Sequence, residues 1–275
     1  MQTKLKVLRL LIWQNIMHRK KIIIGNWKMY GRLSWNEKII NELLEHVQIF
    51  KDVDMVLCVP FVYLGQIRNI LTNTNINWGS QNVSQFKDGA FTGSISALMV
   101  AEFGCTHAII GHSERRVLHS ETFDSAANRC IQALQAGLTP IFCVGEKGIE
   151  REKGYAKAVV ETQVRSLLGT LDDAMLERLF KQKTIFAYEP AWAIGTGDFA
   201  QPEAADNMHA MIRSIIAEKN KAYAKQVRII YGGSFMPTNA QDFLNMENID
   251  GGLIGKCSID SNAFAKICQQ ANQFK

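Results

Sequence analysis

Nothing acidic precedes Glu37 in this chain, no Cys-X-X-Cys pair occurs, and no apolar run reaches the length of a membrane span. Each absence removes a class of protein. The formal net charge of +5 is a modest surplus carried mostly before Glu37, and no Lys/Arg-rich block interleaved with aromatics recurs later. That pattern argues against a nucleic-acid partner. The six cysteines, Cys58, Cys105, Cys130, Cys143, Cys257 and Cys268, have no histidine at a metal-ligand spacing. Most lie in apolar runs, where a free thiol behaves as a small hydrophobe. A reduced, cytoplasmic protein without a disulfide framework or structural metal is expected.

No Pro/Gly/Ser-rich linker or low-complexity tract interrupts the chain, so one domain is expected. Residues 1–20 stand apart as a basic, apolar extension without a small-residue cleavage site. They read as a targeting segment, a surface amphipathic helix, or the product of an upstream start, with Met17 the favoured natural beginning. The fold argument therefore covers residues 21–275.

Across that span, 47% apolar for the whole chain, short hydrophobic runs alternate with longer amphipathic stretches. The runs are Lys21–Asn26, Met55–Pro60, Ile76–Asn82, His107–His112, Thr139–Glu146, Thr184–Glu189, Val227–Ser234 and Asp250–Lys256. Near-continuous hydrophobicity suits parallel strands buried on both faces. Between them, Ser34-Trp35-Asn36-Glu37 reads as a capping box, Pro202-Glu203 as a first helical turn, and Gly137 as a helix stop. Eight such units in about 250 residues fit an α/β fold of one closed (β/α)8 barrel. A doubly wound open sheet is the alternative, but no Gly-X-Gly-X-X-Gly follows the first strand.

Several runs finish in a reactive group: Asn26 with Lys28, His112, Glu146, Glu189, then glycines near 232 and 255. A barrel gathers such positions at its C-terminal rim, where barrel active sites form. Glu189 can take a proton, and a neutral His112 ring can donate to a carbonyl oxygen. Lys28 supplies positive charge and Asn26 an amide. Gly232-Gly233-Ser234 and Gly255 can offer backbone N–H groups to a phosphate. Together they suit proton abstraction beside the carbonyl of a phosphorylated substrate.

Four blocks carry a resemblance. Asn26-Trp27-Lys28-Met29, Ile110 through Arg116, Ala187 through Gly197, and Tyr231-Gly232-Gly233-Ser234 resemble the signature segments of the triosephosphate isomerases, in order and in spacing. The resemblance implies a (β/α)8 barrel interconverting triose phosphates in glycolysis, gluconeogenesis and the pentose phosphate pathway, with no cofactor. It assigns Glu189 as the base, His112 as the electrophile, and Lys28 with Asn26 to charge stabilisation and substrate positioning. Gly195, Ser234, Gly255 and Lys256 fall at phosphate contacts. Pro190, Ala191, Trp192, Ala193, Ile194, Gly195 and Thr196 form a lid, with Glu114 and Tyr231 in support. The loop Gln81–Ser96 corresponds to a segment that docks into a second copy, which implies a homodimer.

Three departures from that pattern stand out. Lys256 replaces the second glycine of a usual Gly-Gly pair, and is expected to keep an ordinary backbone and point outward. Ser94 stands where an acidic partner for Arg115 is usual, leaving Glu121 as a candidate. The extension is the third. Glu146 reads as a structural ion-pair partner, and Cys143 as packing near Glu189. The competing readings are another sugar-phosphate isomerase, a Schiff-base aldolase and a non-catalytic scaffold; aldolase chemistry leaves the Glu189 lid unexplained, and intact Lys28, His112 and Glu189 argue against the scaffold.

Overall fold

A computed structural model describes residues 19–193 and 200–274; the extension up to residue 18 and the lid positions Ile194, Gly195 and Thr196 lie outside the described residues. The eight runs are strands β1 (Lys21–Asn26), β2 (Val53–Val59), β3 (Ile76–Ser80), β4 (His107–Ile110), β5 (Thr139–Val144), β6 (Ile185–Tyr188), β7 (Ile229–Tyr231) and β8 (Gly251–Ile254). They pair in sequence order, all parallel, and close into a barrel. Closure joins Ile22 to Gly251 and Ile24 to Leu253. Gly251 has φ +146°, and a Cβ there would lie 1.8 Å from the Ile22 carbonyl oxygen, so only glycine fits that seam.

The connecting helices are α1 (Leu33–Val47), α2 (Leu64–Leu71), α3 (Ala97–Glu102), α4 (Ser113–Leu118), α5 (Phe123–Gln135), α6 (Gly148–Glu152), α7 (Ala156–Thr170), α8 (Asp173–Lys181), α9 (Pro202–Lys219), α10 (Lys221–Gln226), α11 (Ala240–Leu244) and α12 (Ser261–Ala271). Pro202 opens α9 and Gly137, at φ +81°, follows α5, as the sequence predicts. The capping box is a correction. Ser34 to Glu37 lie inside α1, which starts at Leu33 after an N-cap, Arg32, without a side-chain cap. Instead the Arg32 N–H donates back to Asn36 Oδ1 at 3.0 Å.

Two buried layers explain the unbroken hydrophobic runs. Ile22, Ile24, Val56, Cys58, Ile109, Ile141, Cys143, Ile185, Ala187, Ile230 and Leu253 fill the barrel interior. Their alternates, such as Ile23, Met55, Ile110, Phe142 and Phe186, pack outward against the helices. At the N-terminal end, Arg19 and Lys20, the last residues counted with the extension, pair with Asp250 at 2.6 Å and Asp54 at 2.7 Å.

Candidate active site

The same period of two that fills the barrel delivers its rim. Ile22 and Ile24 lead to Asn26, Ile185 and Ala187 to Glu189, Ile230 to Gly232, and Leu253 to Gly255. Each is the next interior position after the last interior hydrophobic residue. Glu146 follows Val144, which packs outward, so its carboxylate leaves the barrel interior. There it accepts from Tyr188 Oη at 3.2 Å and Trp192 Nε1 at 2.9 Å. The expected ion pair is absent among the described residues; its phase on β5 points it at two neutral donors instead.

Lys28 is held by three neighbours. Its N–H donates to Asn26 Oδ1 at 3.0 Å, its carbonyl accepts from Gln81 Nε2 at 2.8 Å, and its ammonium lies 2.6 Å from Glu114 Oε1. The backbone there has φ +53°, a left-handed conformation that costs a non-glycine residue about 1 kcal/mol or more. Local contacts thus over-determine where the cation stands. The pair with Glu114 also argues against an aldolase amine, which must be free to attack a carbonyl.

His112 caps α4. Gly111, at φ +67°, turns the chain off the strand, and the Glu114 N–H donates to His112 Nδ1 at 3.2 Å. A ring that accepts at Nδ1 carries its proton on Nε2 when neutral. That nitrogen lies 2.9 Å from Glu189 Oε1. The contact lacks hydrogen-bond alignment, so Oε1 has no donor among the described residues. Oε2 accepts from the Ser113 N–H at 2.8 Å. Glu189 is fully buried. Burial alone would raise its pKa, but the His112 imidazole, the Arg116 guanidinium and the Ser113 N–H together hold it below the usual carboxylate range. The group therefore rests as an anion.

Arg116 and Ser113 lie in a block the sequence singles out, yet their roles are not legible there. Arg116 donates to the carbonyls of Gly111 and Cys143, the latter at 3.1 Å, and so ties the ends of β4 and β5 together. The Cys143 thiol sits by Glu189, as expected; burial first, and then the carboxylate, push its pKa well up, which disqualifies it as a nucleophile.

Gly255 faces the cation, since a Cβ there would lie 3.3 Å from Lys28 Cε. Lys256 is exposed, and its φ stays outside the left-handed region. Ser234 Oγ donates to the Ala193 carbonyl at 3.0 Å. Tyr231 Oη accepts from the Ala200 N–H at 3.0 Å, and burial pushes its phenol up to about 12, so it stays neutral. Ala193 is thus fastened to Ser234 in the loop after β7, and Ala200 to Tyr231 at the end of β7. Pro190, Ala191, Trp192 and Ala193 form the entry to the segment 194–199, with the Ala191 N–H bonded to the Glu146 carbonyl at 3.0 Å.

Gly232 supports the carboxylate directly: a Cβ would lie 2.7 Å from Glu189 Cγ and 3.3 Å from the Tyr188 carbonyl oxygen. Gly232→Ala is expected to displace the carboxylate and lower kcat/KM by about ten- to a hundredfold. Steady-state kinetics beside a melting curve check this; unchanged kinetics would show that the stem tolerates the shift.

An anion with an uncommitted lone pair, a ring N–H, a cation and exposed backbone donors surround one rim. That set can move a proton from a carbon beside a polarised carbonyl to the carbonyl carbon itself without a redox partner. The sequence profile of the triosephosphate isomerase family matches residues 21–271. The triosephosphate isomerase of Dechloromonas aromatica (strain RCB) is 42% identical over 255 residues, 92% of this chain and 100% of that protein. Those of Thiobacillus denitrificans and Methylococcus capsulatus are each 43% identical over 92% of this chain and 99% of their own lengths.

Proposed function

The chain belongs to the triosephosphate isomerase family, and from that premise we propose that Glu189, His112 and Lys28 are the groups that carry out its reaction. That reaction interconverts dihydroxyacetone phosphate and D-glyceraldehyde 3-phosphate. Glu189 takes the proton from the carbon beside the carbonyl and returns it to the neighbouring carbon. His112 gives its Nε2 proton to the carbonyl oxygen as negative charge develops there and takes up the proton of the neighbouring hydroxyl, whose oxygen becomes the new carbonyl. Lys28 stabilises the enediolate and phosphate charge, with Asn26 fixing its backbone and Glu114 its ammonium. The observation that carries this reading is the buried Glu189 Oε1, without an aligned donor and 2.9 Å from a nitrogen whose tautomer the Glu114 N–H sets.

Backbone N–H groups of Gly195, Ser234, Gly255 and Lys256 are proposed to cradle the phosphate. Residues 190–196 act as a lid. A phosphorylated enediolate in open water can eliminate phosphate, so closure protects the intermediate as well as strengthening local electrostatics. The test is turnover of glyceraldehyde 3-phosphate, read as NADH consumption through glycerol-3-phosphate dehydrogenase. No turnover from folded protein would sink the assignment.

The family reading extends to a homodimer through Gln81–Ser96. Supporting it, Phe86 and Phe91 stack at 4.1 Å while exposed, and Met29, Val62, Leu98, Met99 and Phe103 are exposed as well. Arg115 is already paired within its own chain, to Glu121 at 2.6 Å, so Ser94 leaves it no unmet charge. Sedimentation is expected to show a dimer at micromolar concentration; a fully active monomer at nanomolar concentration would overturn this. A cytoplasmic setting, without nucleic-acid or membrane partners, is supported by six free cysteines, five of them buried. No helix among the described residues is long and apolar enough to cross a membrane.

A further inference from the structure

Between α4, the start of α5 and α7 lies a cavity of about 550 Å³ lined by none of Glu189, His112 and Lys28. Its walls divide by chemistry. Val117, Phe123, Tyr155 and Val159 supply apolar surface, and of these Val117 and Tyr155 are exposed. Three polar side chains in the lining hold unused capacity. Ser113 Oγ and Glu121 Oε2 are buried without a hydrogen-bond partner among the described residues. Arg116 donates to the carbonyls of Gly111, Cys143 and Gly145, the last at 3.4 Å, and pairs with no carboxylate among the described residues. A guanidinium carries five N–H hydrogens, so two remain, on a cation that lies 5.3 Å from the Phe123 ring centroid.

These groups discriminate between occupants. Water satisfies the two oxygens, but it neither neutralises the guanidinium nor covers the apolar surface. A cation is disfavoured, because Glu121 Oε1 already lies 2.6 Å from Arg115 Nε and 3.2 Å from an Arg129 Nη. Lys147 and Glu150, also in the lining, oppose each other in charge. The surroundings stay net positive even with Glu189 counted beyond Ser113. A carboxylate matches the fork of Arg116, and a hydroxyl beside it donates to Glu121 Oε2 while accepting from Ser113 Oγ.

We propose that this cavity is a second binding site, taking a small 2-hydroxycarboxylate with a branched aliphatic tail. Its carboxylate pairs with Arg116, its hydroxyl bridges Glu121 and Ser113, and its tail packs on Phe123 and Val159. The site reaches the catalytic base through one residue. Ser113 lines the cavity, and its backbone N–H holds Glu189 Oε2 at 2.8 Å. An occupant bonded to the Ser113 hydroxyl therefore acts on the carboxylate's position, and slows turnover without touching the phosphate contacts.

The experiment titrates racemic 2-hydroxyisovalerate into the full chain by calorimetry, with and without saturating glycerol 3-phosphate. The expected dissociation constant is about 0.1–1 mM, within reach of a ligand of this size, and glycerol 3-phosphate leaves it within about threefold. Isovalerate, which lacks the hydroxyl, and 2-hydroxyisovaleramide, which lacks the charge, each bind at least about tenfold more weakly. Ala158→Phe, at an exposed position of α7 in the cavity lining, fills the space and abolishes binding. The ligand series needs no variant, so it decides the matter even where Ala158→Phe fails to fold. No binding below about 10 mM, equal binding of isovalerate, displacement by glycerol 3-phosphate, or binding that survives in folded Ala158→Phe overturns the proposal. Saturation is expected to lower kcat about two- to fivefold with KM unchanged. That effect rests on Glu189 as the base; binding with unaltered kcat overturns the coupling through Ser113. An inactive wild type fails the isomerase assignment and leaves the calorimetry to judge the site.

Discussion

Glu189→Asp lowers kcat by about a hundred- to a thousandfold with little change in KM, within the range that a positioned general base contributes. The reason is geometric. Shortening the side chain by one methylene retracts the carboxylate by about 1.5 Å. It keeps the charge, so the phosphate and carbonyl contacts that set KM are preserved. The aspartate also loses the support that Gly232 gives to Cγ of the longer chain. A retracted carboxylate also draws away from the Ser113 N–H that holds Oε2 and so from the position that sets Oε1. Paired measurements of kcat and the primary deuterium isotope effect check the prediction. A kcat within threefold of wild type would remove Glu189 as the base. A large fall without a rise in the isotope effect would place its role outside proton transfer.

The alternation that positions Glu189 was legible because both faces of each parallel strand are buried. Hydrophobic runs then mark strands, and the first polar residue after a run marks the rim. For the same reason every strand after β1 ends before its run does: Glu189, Ser234 and Lys256 carry the chain onward after pairing has stopped. The phase at the strand end was not legible. Val144 faces out and Ala187 faces in, and this difference alone separates Glu146 from Glu189. His112 escapes the alternation altogether, because Gly111 turns left-handed between Ile110 and the imidazole. Contacts between distant segments were likewise invisible. Arg116 tying β4 to β5, and Arg151 covering Trp192, join residues that no local periodicity relates. The capping box failed because Asn36 turns its side chain back to the Arg32 N–H, a choice open to any asparagine in a first turn.

Acid is expected to unfold this barrel well before its carboxylates titrate, through two histidines that take no part in the reaction. His107, at the start of β4, and His209, inside α9, are both buried. Burial lowers His107 to about 3, helped by the charge of Arg228, and lowers His209 to about 4 against the carbonyl of Asn248. In the unfolded chain each titrates at the model-peptide value of about 6.5. Between those limits the unfolded state binds more protons than the folded one, so stability falls as pH falls. Each group contributes a slope of up to about 1.4 kcal/mol per pH unit below 6.5. Together they remove several kcal/mol by about pH 4.5, against a total of roughly 5–15 kcal/mol for a folded domain. Asp54 and Glu189, both lowered, stabilise the fold above the usual carboxylate range and lose that contribution only at more acid pH. The two windows therefore separate. Denaturant midpoints at fixed protein concentration, followed from pH 7.5 to 4.5, should fall steeply below 6.5 in wild type and more gently in His209→Gln. Equal slopes in the two proteins would show that His209 takes up its proton without unfolding.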